Sequence, residues 1–143
     1  YTRAPRFEKA SIEGKVVVIG GIREKDQLLF FIDIGCPICR SLAQTVKKVA
    51  WEESVDLVFI SDGEILDQHL DFYKRSTLMP CDYLISEEIG RAYGIGKVPY
   101  AVLIGANGKI ITFGIVNNLE HIESLFQARE AGVDSLQEYF RKP

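Results

Sequence analysis

A chain of 143 residues, 47% hydrophobic and 26% charged, is long enough for one domain with its own core and too apolar to be disordered. Its formal charge of −3 comes from 17 basic and 20 acidic side chains that are interspersed, which argues against a nucleic-acid partner because such a partner normally requires a basic stripe. The sequence has no run of about 18 apolar residues, so no transmembrane helix is predicted within it.

The first predicted elements follow a polar segment. Residues 1 to 10 are mildly basic and interrupted by Pro5, which predicts a linker or a fraying terminus. A single domain is expected over residues 11 to 143. Short apolar runs at residues 15 to 20 and 27 to 33 predict buried strands, because they are too brief for helices.

A helix is expected directly after the second strand. Apolar residues recur there at spacings of four, four and three along one helix face: Ile38, Leu42, Val46 and Val49. The stripe extends to about Trp51. Pro37 suits the first turn, because the N–H group that proline lacks would have no partner at that position.

The second half of the chain is predicted to alternate strands and helices before a hairpin. The expected elements are a strand at residues 55 to 61, a helix at 64 to 74, a strand at 81 to 86 and a helix at 87 to 96. Residues 100 to 105 and 109 to 116 predict a hairpin, with Asn107-Gly108 supplying the positive φ angles of a two-residue turn.

The last predicted helix begins after Asn118, a candidate N-cap, and ends at Gly132 before a short helix at residues 133 to 140. Early strands joined by a helix are expected to pair in parallel, whereas the late hairpin is antiparallel. The predicted fold class is therefore α/β, with a mixed central sheet and helices on both of its faces.

Cys36 and Cys39 form a Cys-x-x-Cys pair between the second predicted strand and the following helix. The start of a helix stabilises an anion, and the thiolate anion is the form of cysteine that attacks disulfides. Cys36 is therefore the predicted attacking thiol, and Cys39, one helical turn later, is the predicted resolving thiol. This chemistry requires no cofactor.

Other roles for the pair stay open at this point. A zinc or copper site would need further ligands nearby, whereas Cys81, His69 and His121 are scattered, so no metal is expected. The two histidines are expected to be solvated or to cap helices. A structural disulfide is a stronger alternative. Cys81 is expected to be a semi-buried free thiol, with a third redox position beside Cys36 as its alternative role.

The pair and the segment GKVPYAVLIGANGKIITFG (residues 96 to 114) resemble the thioredoxin superfamily. In that superfamily a cis-proline loop lies opposite the two sulfurs. The resemblance implies that Pro99 follows a cis peptide bond and that Val98 presents its backbone to an extended client peptide. Pro37 and Ile38, inside the CPIC motif, are implied to belong to the same client-binding surface.

The resemblance also identifies candidates for tuning the thiols. Many thioredoxins carry a buried acid six residues before the first cysteine, where this chain has Phe30. Asp33 is the nearest carboxylate to Cys36 in the sequence, and Arg40 directly follows the pair. Asp33 also occupies the position where peroxiredoxins have Thr or Ser, which argues against peroxidase chemistry.

Three stretches are similar to one branch of the superfamily, the MauD family of methylamine utilisation proteins. They are LLFF before CPIC, then EIGRAYGIGKVPYAVLIGANGKI, then GIVNNLEHIESLFQAREAGVDSLQEY. The resemblance implies a periplasmic domain held at the inner membrane by an anchor ahead of Tyr1. It also implies a membrane redox partner and a cysteine-containing client, the small subunit of an amine dehydrogenase, in which disulfides are formed or isomerised during maturation.

Two alternatives to this function follow from the same features. One is a thiol–disulfide reductase of the cytochrome c maturation type, because the CPIC motif does not fix the direction of electron flow. The other is a non-catalytic module that uses the fold to hold a maturation partner, with the two cysteines in a structural role.

Overall fold

The computed structural model describes residues 2 to 131 of the chain. Its strands and helices, in chain order, are β1 (Phe7–Ala10), β2 (Val16–Ile19), β3 (Gln27–Ile32), α1 (Pro37–Glu52), β4 (Asp56–Ser61), α2 (Leu66–Arg75), β5 (Asp82–Ile85), α3 (Glu87–Ala92), β6 (Tyr100–Ile104), β7 (Ile110–Ile115) and α4 (Leu119–Ala131). None of the helices in this range is long and apolar enough to cross a membrane.

Five of the strands form a mixed sheet in the order β5-β4-β3-β6-β7. β3, β4 and β5 run parallel to one another, whereas β6 is antiparallel to both β3 and β7. All six residues of β3 are buried, because the central strand of such a sheet is covered on both faces. The predicted α/β class with a mixed central sheet is confirmed.

The two faces of this sheet pack against different elements, because successive side chains of a strand point to opposite faces. We call one the cysteine face; it bears Leu28, Phe30, Phe59 and Tyr83 and packs against α1, α2 and α4. We call the other the hairpin face; it bears Leu29, Phe31, Ile60 and Leu84 and packs against α3 and β2. Helices therefore cover both faces, as predicted.

The N-terminal segment is more ordered than its composition predicts. β1 pairs with β2 in an antiparallel ribbon. The backbone of Arg3 pairs with that of Lys109 in an isolated antiparallel β-bridge. Ala4 is buried in the core of the hairpin face. The prediction of a linker over residues 1 to 10 is therefore wrong for residues 7 to 10. The polar side chains of this segment suggested a linker, but its order comes from pairing with β2, a contact that composition does not reveal.

The predicted hairpin of β6 and β7 is present, but its turn is longer than two residues. The Gly105 N–H donates to the Lys109 carbonyl at 2.8 Å, which leaves residues 106 to 108 in the loop. Gly108 has a positive φ of 84°, whereas Asn107 does not. Asn107 instead accepts a hydrogen bond from the Lys109 N–H through its side-chain oxygen. The two-residue turn was a wrong prediction, because this side-chain contact favours the longer loop.

α4 begins as predicted, since the Asn118 side chain accepts a hydrogen bond from the His121 N–H at 2.9 Å. The ring of His121 in turn accepts a hydrogen bond from the Asn117 N–H, so its expected capping role is confirmed. The predicted end at Gly132, the short helix at residues 133 to 140 and the extension of the domain to residue 143 lie outside the described residues.

Candidate active site

Cys36 lies at the N-cap of α1, just beyond the end of β3. Its N–H donates to the Asp33 carbonyl at 2.9 Å, and its sulfur accepts a hydrogen bond from the Cys39 N–H at 3.2 Å. Pro37 occupies the first turn, as predicted. The half-buried Cys36 sulfur therefore sits where backbone N–H groups of a helix start point toward an accepting atom.

Cys39 lies one turn further along α1, on the side that faces the sheet. It is fully buried in the core of the cysteine face, whereas Cys36 is only partly covered. Burial, together with its hydrogen bond to the Cys36 thiol, raises the pKa of Cys39 to about 12. The inner thiol is therefore protonated at neutral pH, and Cys36 is the sulfur that a partner molecule can reach.

The loop before β6 carries the other residues predicted to belong to the site. The Val98–Pro99 peptide bond is cis, as the resemblance implied, and Pro99 is buried while Val98 is 36% exposed. A surface cavity of about 330 Å³ is bordered by Asp33 from the segment before Cys36 and by Val98 from this loop. The structure therefore brings these two predicted site residues to the same cavity.

The remaining predicted site residues lie at the exposed start of α1. Pro37 and Ile38 are exposed, and Ile38 offers 44% of its surface to solvent. Arg40 is also exposed, and its N–H donates to the Cys36 carbonyl at 3.2 Å. The carboxylate of Asp33 accepts a hydrogen bond from the Gly35 N–H at 2.8 Å, which shapes the turn leading into α1.

The third cysteine borders a different cavity. Cys81 is a half-buried free thiol, as predicted, and burial raises its pKa. The cavity has a volume of about 650 Å³ and is bordered by Lys47 and Trp51 but by neither Cys36 nor Cys39. The described residues contain no group of three or more His, Cys, Asp or Glu side chains arranged to hold a metal ion.

Sequence reasoning missed one buried polar pair on the cysteine face. His69, expected to be solvated or to cap a helix, is instead 1% exposed, and its Nδ1 atom lies 2.8 Å from the Tyr83 hydroxyl. That expectation was wrong because the partner of His69, Tyr83, comes from a different element, β5 of the central sheet. The helical spacing that placed His69 beside Leu70 and Tyr73 showed the helix but gave no sign of this partner.

Comparison with known proteins identifies the family of the chain. No family model matches the chain. It is 40% identical over 136 residues to the methylamine utilization protein MauD of Paracoccus versutus, covering 95% of this chain and 68% of that protein. The chain belongs to the MauD family. MauD of Methylophilus methylotrophus is 38% identical over 141 residues, covering 97% of this chain and 66% of the relative.

Solved structures agree on the fold. A secreted disulfide oxidoreductase of Mycobacterium tuberculosis superposes with a TM-score of 0.70 at 23% identity, covering 87% of this chain and 95% of that one. The thioredoxin domain of a Bacteroides vulgatus thiol-disulfide oxidoreductase gives a TM-score of 0.74 at 17% identity, covering 93% and 96%. These neighbours show that the chain has a thioredoxin-like fold, in which Cys36 and Cys39 lie one helical turn apart.

Proposed function

We propose that this protein exchanges disulfides with the cysteines of a client protein through Cys36 and Cys39. One observation carries the proposal: a reachable sulfur at a helix N-cap has a second, buried sulfur one turn behind it, with the Cys39 N–H directed at Cys36 over 3.2 Å. That arrangement suits a thiol that forms a mixed disulfide and a second thiol that resolves it.

The exchange can be written for either direction of electron flow. When the protein oxidises its client, a client thiolate attacks Cys36 of the Cys36–Cys39 disulfide, and Cys39 leaves with the electron pair and takes up a proton. A second client thiolate then breaks the mixed disulfide, so the client loses two electrons and the protein becomes a dithiol. In the reverse direction Cys39 must give up that proton before it can attack.

The client surface is proposed to surround Cys36. Ile38 and Val98 are exposed apolar side chains on the start of α1 and on the proline loop. We assign Pro37 and Pro99 to the same surface, because they flank these two residues in the chain. An extended peptide lying across these residues would bring its own sulfur to Cys36.

We further propose that the client is the cysteine-containing small subunit of an amine dehydrogenase. The support is the naming of the relatives, which are methylamine utilization proteins at up to 40% identity. Disulfide formation suits an oxidising compartment such as the periplasm. In that setting an anchor would hold the domain at the inner membrane, and a membrane partner would restore its oxidised state after each exchange.

Three cysteine variants test the proposal. Cys36→Ser should abolish exchange with a disulfide-containing client, and Cys39→Ser should accumulate a client mixed disulfide that gel electrophoresis without reductant can detect. Cys81→Ser is the matched control and should exchange at the wild-type rate, because Cys81 borders a different cavity. Full exchange by Cys36→Ser would contradict the proposal, and client maturation that persists without exchange would favour a holding module.

The reduction potential then decides the direction of electron flow. A value near about −120 mV would make the protein an oxidant of its client, whereas a value near about −270 mV would make it a reductant. An equilibrium with glutathione of known composition measures it. A reduction potential near about −270 mV would contradict the proposed oxidative role and favour the reductase alternative.

A further inference from the structure

A second surface cavity lies at the opposite end of α1 from the cysteine pair. It is the cavity beside Cys81, and its volume of about 650 Å³ falls within the range of about 300–1,000 Å³ that small-molecule sites occupy. A helix rises about 1.5 Å per residue, so Trp51, which borders this cavity, lies about 22 Å along α1 from Cys36. The cavity is therefore separate from the proposed exchange site.

One side of α1 forms part of the cavity wall. Four residues of the helix border the cavity at successive spacings of three, one and three: Gln44, Lys47, Lys48 and Trp51. Residues three and four positions apart are neighbours on a helix, so these side chains form one stripe. Other parts of the wall come from residues around the start of β4 and just before β5: Val55, Leu57, Pro80 and Cys81. The cavity therefore lies between the last turns of α1 and the starts of these two strands.

Lys47 links the helix to the segment before β5. Its ammonium group donates to the Thr77 carbonyl at 2.8 Å and to the Met79 carbonyl at 2.6 Å. Gln44 also donates to the Thr77 carbonyl, at 2.9 Å. An ammonium group has three N–H donors, so one remains for a ligand after these two bonds. The charge of Lys47 is therefore fixed in position before a ligand binds.

The charges at the cavity do not balance. Four basic side chains border it against two acidic ones, and each acidic side chain already pairs with a basic one: Asp56 with Arg23 at 2.8 Å, and Asp82 with Lys15 at 3.3 Å. Within residues 2 to 131, neither Lys47 nor Lys48 forms an ion pair with a carboxylate. Two positive charges are therefore uncompensated at this cavity, although the whole chain has a formal charge of −3.

Much of the remaining lining is apolar. Its aliphatic part consists of Ala50, Val55, Leu57 and Pro80. Trp51 is 83% exposed, so most of the surface of its large ring system faces solvent. Small-molecule sites combine apolar walls with a few polar groups that fix the orientation of the ligand. The lining therefore suits a ligand with an aliphatic chain and one anionic group.

We propose that this cavity binds a small amphipathic anion, a carboxylate that carries an aliphatic chain. The carboxylate accepts hydrogen bonds from the ammonium groups of Lys47 and Lys48, and such bonds are strong because both partners are charged. The chain covers the aliphatic lining and the exposed indole of Trp51, which removes apolar surface from water. Binding involves no covalent step and does not depend on disulfide exchange at Cys36, so this proposal and the proposed function can fail separately.

Trp51 reports occupancy of the cavity directly, because it is the only tryptophan of the chain. Laurate, added below the concentration at which it forms micelles, should shift the Trp51 fluorescence of the wild-type protein to shorter wavelength as its chain covers the indole. Dodecylammonium has the same chain length and the opposite charge, and it should cause no shift at the same concentration. Equal shifts with the two compounds, or no shift with laurate, would overturn the inference.

A lysine variant tests the contribution of the positive charge. Lys48→Gln should raise the half-saturating laurate concentration about tenfold, the loss expected for one hydrogen bond between charged groups. The matched control is Lys97→Gln, which removes an exposed lysine that borders the smaller cavity instead. This control should bind laurate as the wild type does. Equal weakening by both variants would overturn the inference, because the effect would then come from net charge alone.

Cys81 provides a second measurement that needs no variant. Because its thiol borders the cavity, bound laurate should slow its reaction with iodoacetamide, followed by mass spectrometry of the peptide that contains it. At about ten times the half-saturating concentration the rate should fall about tenfold, since about one molecule in ten then has an empty cavity. Cys36 should keep its rate in the same sample. An unprotected Cys81 would overturn the inference, because the laurate would then lie outside the cavity.

Vesicles of phosphatidylglycerol distinguish a free carboxylic acid from a membrane surface, which also presents aliphatic chains beside anions. They should leave the Trp51 emission unchanged, because a bilayer surface does not enter a concave site. A shift with the vesicles and none with laurate would overturn the inference and identify this end of α1 as a membrane-binding surface.

Discussion

The two faces of the central sheet bury polar side chains in different ways. On the hairpin face, Gln27 and Tyr93 form hydrogen bonds with backbone groups of the N-terminal residues, which fixes that segment against the sheet. On the cysteine face, His69 bonds to Tyr83, which belongs to the same core cluster as Cys39. A side chain bonded to backbone holds the chain in place, whereas a pair of titratable side chains can also change its protonation. The buried polar side chains of the hairpin face therefore stabilise the fold, whereas those of the cysteine face include a titratable pair.

The largest expected effect comes from truncating one aromatic side chain on each face. Phe59 packs against Phe30 and Tyr83 at centroid distances of 6.0 and 6.4 Å, and Phe31 packs against Tyr93 at 5.9 Å. Phe59→Ala and Phe31→Ala should each lower the free energy of unfolding by about 3–5 kcal/mol, measured by urea denaturation. Because only Phe59 of these two residues belongs to the core cluster that contains Cys39, only its variant should also slow the step in which Cys39 resolves the mixed disulfide.

Equal slowing of the resolving step by both phenylalanine variants would contradict the distinction between the two faces. It would show that loss of packing anywhere in the core disturbs Cys39. The comparison is matched, because both residues lie on β3 or on the adjacent β4 and both are at most 3% exposed.

A smaller effect is expected from removing a polar anchor of the hairpin face. The fully buried Gln27 accepts a hydrogen bond from the Gly20 N–H and donates to the Val18 carbonyl, each at 2.9 Å. Gln27→Leu would leave the Gly20 N–H without that partner, so the free energy of unfolding should fall by about 1–3 kcal/mol. The pH profile of disulfide resolution should stay at its wild-type position, and a shift would contradict a purely architectural role.

The smallest effect is the contribution of His69 to the pH dependence of stability. Its pKa is lowered by burial from 6.5, so between the folded and unfolded values the unfolded state binds more protons. This contribution is fully present above about pH 6.5 and is lost as the pH falls below it, by at most about 1.4 kcal/mol per pH unit.

Urea denaturation at about pH 7.5 and about pH 5.5 measures this contribution in the wild type and in His69→Gln. The wild type should lose more stability on acidification than the variant, which has no imidazole to protonate. An equal loss in the two proteins would mean that His69 titrates alike in the folded and unfolded states. That result would contradict the lowered pKa that burial gives His69 in the folded protein.

The sequence by itself determined the features that depend on residues close together in the chain. Short apolar runs marked every strand of the central sheet, Cys36 and Pro37 marked the start of α1, and the Asn118 cap marked the start of α4. The cysteine pair was visible for the same reason, because one turn of helix brings Cys39 to Cys36 whatever the rest of the chain does.

Only the tertiary structure decided which distant groups meet. β1 becomes a strand through pairing with β2, although its own residues are those of a linker. His69 finds its polar partner in Tyr83, a residue 14 positions away on a different element. A solvated histidine and a buried one can follow the same helical pattern, since the pattern gives the face of the helix and not what that face meets. The burial of His69 and its polar partner are therefore set by packing against the sheet.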